Sequence, residues 1–197
     1  MREEDGQAGP EKVLLYYAFV PEGTDARTMS RAAWRMTVQA AAAEYGISPD
    51  RLVRSEGPHG KPFFRDLPGI HFNISHSGRC IACAFSGAEV GLDVQVRTDR
   101  PTERIARRIL PHEQYEAYLA AADREDFFYT RWVELESYLK RRGDGFTVDL
   151  KQAVPEGVFS FPRIGEGYYA AVSTAGPHSV LLRPVEWSAL PEETAGI

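Results

Sequence analysis

Long apolar runs are missing from this 197-residue sequence. No stretch of about 18 uninterrupted apolar residues occurs, so a membrane-spanning helix is not expected. The N-terminal MREEDGQAGPEK is acidic and polar and has no apolar core of the kind a signal peptide needs. It reads as a short flexible lead-in to a cytoplasmic protein. Cysteine is scarce: Cys80 and Cys83 form a C-x-x-C, but no second pair completes a zinc site. In a strand, residues three apart face opposite sides, so a redox pair is not expected either. Excess positive charge is also missing. With 23 basic and 28 acidic side chains the net charge is −5, which argues against a general nucleic-acid binder. No G-x-x-x-x-G-K-[ST] phosphate loop is present.

What is present is ordinary globular composition, 43% hydrophobic and 26% charged, in a chain long enough for one domain or two small ones packed together. The charge is uneven. Arg97, Arg100, Arg104, Arg107 and Arg108 face only Asp99 and Glu103, a local balance of +3. Such a segment is either a solvated helix face or a surface that steers an acidic protein.

Periodicity predicts strands at 13–20, at IHFNIS and CIACAF around a turn His76-Ser77-Gly78-Arg79, and at 89–96. The Ala-, Arg- and Met-rich stretch from Asp25 to Tyr45 predicts a helix stopped by Gly46, and Asp126 to Arg142 predicts another stopped by Gly143. Short arginine-rich helices are expected up to Ala122. SEGPHGKPFF reads as a loop, 146–187 as strands and turns, and PEETAGI as a frayed end. NISHSGRCIACAF (73–85) echoes AVSTAGPHSVLLR (171–183), each a strand, S-x-x-G and a second strand. The expected fold is therefore α+β, with two similar α/β halves packed around a central cleft. The halves run over 12–88 and 89–187, between flexible ends at 1–11 and 188–197. A cleft between halves is a common place for ligands.

Three patterns can carry chemistry. On the helix DFFYTRWVELESYLKRR, Phe128, Trp132, Leu135 and Leu139 form an apolar stripe, with Glu136 beside it and Lys140 one turn on. Glu134 is expected at the solvent surface. Taken alone, Glu136 and Lys140 are an ordinary helix pair. On the strand VGLDVQV, Asp93 and Gln95 project from one face. Two oxygen ligands at that spacing suit a hard cation such as Mg²⁺, although an edge strand with a wet polar face looks the same. In the turn SHSG, backbone N–H groups near His76 can cradle a phosphate, and Lys61 of Gly-Lys-Pro can add a fixed positive charge.

GKP at 60–62, FNISHSG at 72–78, G-x-D at 91–93 and W-x-x-x-E-S-x-x-K at 132–140 occur in that order. In this combination the chain, from about Lys12 to Trp187, resembles the 4′-phosphopantetheinyl transferases. It is similar to the monomeric, two-half, surfactin-synthetase-activating type that modifies carrier domains of peptide and polyketide synthases. The resemblance implies halves related by a pseudo-twofold, with coenzyme A in the cleft between them. It implies that Asp93, Gln95 and Glu136 hold Mg²⁺, or Mn²⁺, on the coenzyme A diphosphate. It implies that Lys61, Pro62, Ser75 and His76 bind the adenosine phosphates, with Arg27 or Arg31 helping at the 3′-phosphate. Lys140 would contact the diphosphate, and Glu136 would be the base for a serine hydroxyl of an apo acyl or peptidyl carrier protein. Phosphopantetheine would pass to that serine and 3′,5′-ADP would leave. Neither nucleic acid nor membrane enters this reading.

Two positions depart from the family pattern. Gln95 stands where a second acid is usual, which removes one negative charge and weakens metal binding in the free protein. Leu135 stands where a lysine often precedes the glutamate; it fits the apolar stripe, and Arg141 or Arg142 can replace the charge. These departures motivate an alternative, a non-catalytic relative that binds coenzyme A or a carrier protein without transfer. A Mg²⁺-dependent enzyme acting on a nucleotide diphosphate with no protein acceptor is a third reading.

Overall fold

The computed structural model describes residues 10–143, 145 and 149–190. The proposed lead-in and frayed tail lie almost wholly outside these residues, as do positions 144 and 146–148. No helix among the described residues is long and apolar enough to cross a membrane.

Two long helices form where caps and composition agree. In α1 (Ala26–Tyr45), Asp25 Oδ1 accepts the N–H groups of Arg27 and Thr28, both at 3.0 Å, and Gly46 ends the helix at φ 63°. In α4 (Arg124–Arg142), Asp123 caps the start and Gly143 ends it at φ 73°. Glu125 and Asp126 in the first turn of α4, and Lys140, Arg141 and Arg142 in the last, complement the helix dipole. Two short helices precede it, α2 (Glu103–Ile109) and α3 (His112–Ala120).

The first sheet contains β1 (Glu11–Phe19), β4 (His71–Ser77), β5 (Cys80–Ser86) and β9 (His178–Pro184), in the order β4-β5-β1-β9. A second has the order β6-β8-β7, from β6 (Gly91–Val96), β7 (Val158–Ser160) and β8 (Tyr168–Thr174). Each sheet contains an antiparallel trio with one topology. In β1-α1-β4-β5 and in β6-α4-β7-β8, the last strand lies between the other two. Three expectations are corrected. The segment read as a loop before residue 65 forms a ribbon of β2 (Arg54–Glu56) and β3 (Pro62–Phe64), because Arg54, Ser55 and Glu56 align with Phe64, Phe63 and Pro62. The turn after β4 is only Gly78-Arg79, since Ser77 already pairs with Cys80 and Gly78 takes φ 57°. The echoed segments also diverge: β4 and β5 are a hairpin, whereas β9 leaves β8 and runs parallel to β1.

The core explains the layering. One face of the first sheet meets α1 through Ile81, Cys83, Phe85 and Phe72 against Ala32, Ala33 and Met36. Its other face meets the second sheet through Val13, Leu15, Cys80 and Ala82 against Leu92, Val94 and Val172. Cys80 and Cys83 thus enter different clusters, as strand alternation requires. Both are free, and burial pushes each thiol up to about 12.

Candidate active site

The site begins with a glycine. A Cβ on Gly91 would lie 1.8 Å from the carbonyl oxygen of Ser137 and 2.7 Å from the Arg141 nitrogen. Only glycine lets α4 approach β6 this closely. Opposite Gly91 on β8 stands Ser173, another small residue, whose hydroxyl donates to the same Ser137 carbonyl at 3.0 Å. The face of β6 bearing Asp93 is therefore covered by α4. The wet edge-strand reading is corrected: Asp93 is 1% exposed, and Glu136, facing it from α4, is 5% exposed.

The other edge of β6 is closed by side chains. Asn73 Oδ1 accepts the Leu92 N–H at 3.0 Å, and Ser75 Oγ and Ser77 Oγ accept those of Val94 and Val96, each at 3.1 Å. Alternate residues of β4 thus form a parallel seam that replaces a backbone ladder and joins the two sheets.

Lys140 links the seam to the helix. Its ammonium donates to Asp93 Oδ1 at 2.6 Å and to Ser75 Oγ at 2.9 Å, and Ser75 donates to Asp93 Oδ1 at 3.0 Å. Asp93 Oδ2 and Glu136 Oε1 are buried with no hydrogen-bond partner. Buried carboxylate oxygens left unsatisfied are costly. Burial, and then the charge of Asp93, push the Glu136 carboxyl up to about 7, with Lys140 opposing. Two orphaned oxygens of this kind fit a hard divalent cation, which prefers oxygen ligands. Among the described residues no group of three or more His, Cys, Asp or Glu side chains is placed to hold a metal ion.

Glu136, Leu139 and Lys140 open onto a cavity of about 190 Å³, walled opposite by His59, Gly60, Lys61 and Pro62. The expected residues of the GKP segment and of α4 therefore meet. Ser75 and Asp93 do not line the cavity; Lys140 joins them to it. Ser75 lies within β4 rather than in a turn, and its hydroxyl already serves Asp93, Lys140 and Val94. Its strand neighbour His76 is exposed at the surface, yet desolvation and then the charge of Lys140 lower its pKa. Gln95 Oε1 accepts from Ser77 at 3.2 Å. Arg31 is an exposed residue of α1 and does not line the cavity. Leu135 packs with Tyr138 and Leu139 against Leu150, Ala153 and Phe159. Glu134 is not at the open surface: it is half-buried, pairs with Arg131 at 2.6 Å, and burial raises its pKa. Sequence reasoning passed over Asn73, Ser77, Ser137 and Ser173. The alternation of N-I-S-H-S was the available signal for the first two.

The model of the 4′-phosphopantetheinyl transferase superfamily matches residues 89–175. The chain is 37% identical over 109 residues to the 4′-phosphopantetheinyl transferase Sfp of Bacillus subtilis, covering 54% of this chain and 48% of that protein. It is 35% identical over 112 residues to a second Bacillus subtilis 4′-phosphopantetheinyl transferase, covering 56% and 50%. It is 30% identical over 107 residues to the 4′-phosphopantetheinyl transferase HetI of Nostoc, covering 51% and 45%. The chain thus spans about half the length of the curated relatives it matches.

Proposed function

We propose that the chain, whose residues 89–175 match the model of the 4′-phosphopantetheinyl transferase superfamily, modifies carrier proteins. It transfers the 4′-phosphopantetheine group of coenzyme A to a serine of an apo acyl or peptidyl carrier protein and releases 3′,5′-ADP. The observation that carries this reading is the pair of buried, unpartnered carboxylate oxygens, Asp93 Oδ2 and Glu136 Oε1, beside the Lys140 ammonium.

Asp93 and Glu136, with Gln95 at their side, are the groups that would hold a magnesium or manganese ion. Such an ion supplies positive charge beside the diphosphate oxygens, where phosphoryl transfer needs it. Lys140 spends two of its three donors on Asp93 and Ser75 and keeps the third for a diphosphate oxygen. Ser75 thereby acts by fixing Lys140 and Asp93. Glu136, poised near neutrality by burial and by Asp93, accepts the proton of the attacking serine hydroxyl. The serine oxygen bonds to the β-phosphorus, the bond from that phosphorus to the adenylate-side oxygen breaks, and its electron pair leaves with 3′,5′-ADP. Lys61, Pro62 and His76 take the adenosine end, with Arg31 assigned to the 3′-phosphate.

Arg97 is neutralised by Asp123 and Glu125, at 3.3 and 2.7 Å. Arg104, Arg107 and Arg108 line an open groove with Pro101 and Glu103. These three arginines steer an acidic carrier domain toward the site. The protein works as a monomer in the cytoplasm. The test is incubation with coenzyme A, Mg²⁺ and several apo carrier proteins, read by intact mass of the carrier. A gain of one phosphopantetheinyl group is expected. No gain on any carrier, beside a transferase known to work, removes the proposal.

A further inference from the structure

Two lysine–carboxylate pairs flank the cavity, and they differ in build. In the Lys140–Asp93 pair the aspartate side chain is 2% exposed, and Ser75 bonds to both partners. In the Lys61–Glu89 pair the glutamate side chain is 59% exposed and the lysine 20%. Lys61 donates to Glu89 Oε2 and, at 2.7 Å, to the carbonyl of Arg141 near the end of α4. The other glutamate oxygen, Oε1, stands 3.2 Å from His71 Nδ1. Lys61 lines the cavity of about 190 Å³ and also an adjoining groove of about 330 Å³ that includes Glu89 and His71.

We propose that Glu89 is a displaceable counter-ion: it occupies Lys61 in the free protein and yields it to a phosphate of the incoming ligand. This rests on the proposed role of Lys61 toward coenzyme A. The buried pair cannot open without stranding a charge in the interior. The exposed pair opens at little cost, because Glu89 returns to water and keeps His71 on Oε1. A phosphate monoester, with its greater charge and three acceptor oxygens, outcompetes one carboxylate for the ammonium. Glu89 therefore lowers affinity for every anion at this position and selects those with enough charge to replace it. It is a positioning residue that touches the substrate only through Lys61.

The experiment is calorimetric titration of the full chain with 3′,5′-ADP and with coenzyme A, using the parent, Glu89→Gln, Glu89→Ala, Lys61→Met and the Lys61→Met/Glu89→Gln double variant. Both Glu89 variants are expected to bind roughly two- to fivefold tighter at low ionic strength, the range set by exposed ion pairs. That gain should shrink in about 0.5 M salt and vanish on the Lys61→Met background. Parent and Glu89 variants binding equally well overturns the counter-ion and leaves the transferase reading intact. A gain that survives Lys61→Met also overturns it, because Glu89 would then repel anions without reference to Lys61. Thermal melts add a readout for a structural role. If Lys61→Met lowers the melting temperature but leaves affinity unchanged, the lysine only caps α4, and the exchange is refuted. If no variant binds either ligand, the transferase reading fails and the counter-ion falls with it.

Discussion

In the unit built on β4, β5 and β1, the long helix meets its sheet through Met29, Ala32, Ala33 and Met36, and buried polar groups there are neutral: Thr37, Asn73, Ser75 and Ser86. In the unit built on β7, β8 and β6, a helix in the corresponding topological place carries Glu136 down onto a strand carrying Asp93. These are the only charged residues among the described ones to be buried. One arrangement of strands and helix thus serves as a conventional core in one case and as a charged site in the other. The first unit still contributes, through the neutral side chains of β4 that fasten β6 and hold Lys140. The buried charges thus belong to one unit, and the two units meet at the seam and again where Lys61 donates to the Arg141 carbonyl beside the cavity.

The sharpest way to break this division is to remove the charges. Asp93→Ala and Glu136→Ala should each lower the rate of carrier modification by on the order of 10³-fold, as loss of a group that stabilises developing charge does. Both variants should remain folded, because each deletes a carboxylate with an unsatisfied oxygen. Retained activity in either would move the chemistry elsewhere. Gly91→Ala should come next, costing more than about 4 kcal/mol, since the new methyl would overlap the Ser137 carbonyl. Met36→Ala in the first unit is the control. It should cost about 2–5 kcal/mol of stability by opening a cavity, while the transfer rate per folded molecule stays at the parent value. A loss of rate per folded molecule in Met36→Ala would show that the units are not separable.

How much of this could be read from sequence differs by unit as well. The ends of α1 and α4 were legible to within two residues, because Asp25, Gly46 and Gly143 are local signals that act within a turn. The opposite facing of Cys80 and Cys83 followed from strand alternation. In the second unit the G-x-D and W-x-x-x-E-S-x-x-K patterns named the residues, yet the burial of Asp93 was not legible. It depends on α4 lying across Gly91, a contact between residues more than forty positions apart. The departure of β9 from β8 was hidden for a related reason: strand partners are chosen by the surface available, and the free edge available was that of β1. The β2–β3 ribbon was masked by its Gly- and Pro-rich connection. The hydrogen bonds that the Ser75 hydroxyl makes with Asp93, Lys140 and Val94 were not legible, because a serine beside a glycine turn carries no local mark of them.

A third test weighs the charge itself. Burial and Asp93 raise Glu136 from its ordinary 4.5 to about 7, so the folded protein binds this proton more tightly than the unfolded chain does. The corresponding stability is complete below about pH 4.5 and is lost as the pH rises through about 7. At about 1.4 kcal/mol per pH unit the loss is roughly 3 kcal/mol by pH 8. In metal-free buffer, Glu136→Gln should therefore be more stable than the parent at pH 8, by up to that amount, and close to it at pH 4. Urea melts across this range check it; a difference that does not grow with pH would exclude the carboxyl as its source. Adding Mg²⁺ should narrow the gap by stabilising the parent alone. No comparable gain is available in the first unit, where no charge is buried.

The smallest effects should lie along the seam, and their gradient tests whether it is a structural joint. Asn73 is 3% exposed and satisfies the N–H of fully buried Leu92. Ser77 and its partner Val96 are half-buried at the far end of the strands. Replacing Asn73 by Ala strands a donor that no water can reach, at about 1–3 kcal/mol. Replacing Ser77 by Ala frees an N–H that water can satisfy, so the cost should be below about 1 kcal/mol. Amide exchange at Leu92 and Val96 offers a local readout: the Asn73 variant should lose protection at Leu92 by a larger factor than the Ser77 variant loses it at Val96. Equal losses would mean that burial sets no gradient along the seam and that Asn73 is not its anchor. In that case β4 would position Asp93 and Lys140 through Ser75 alone, whose hydroxyl bonds to both.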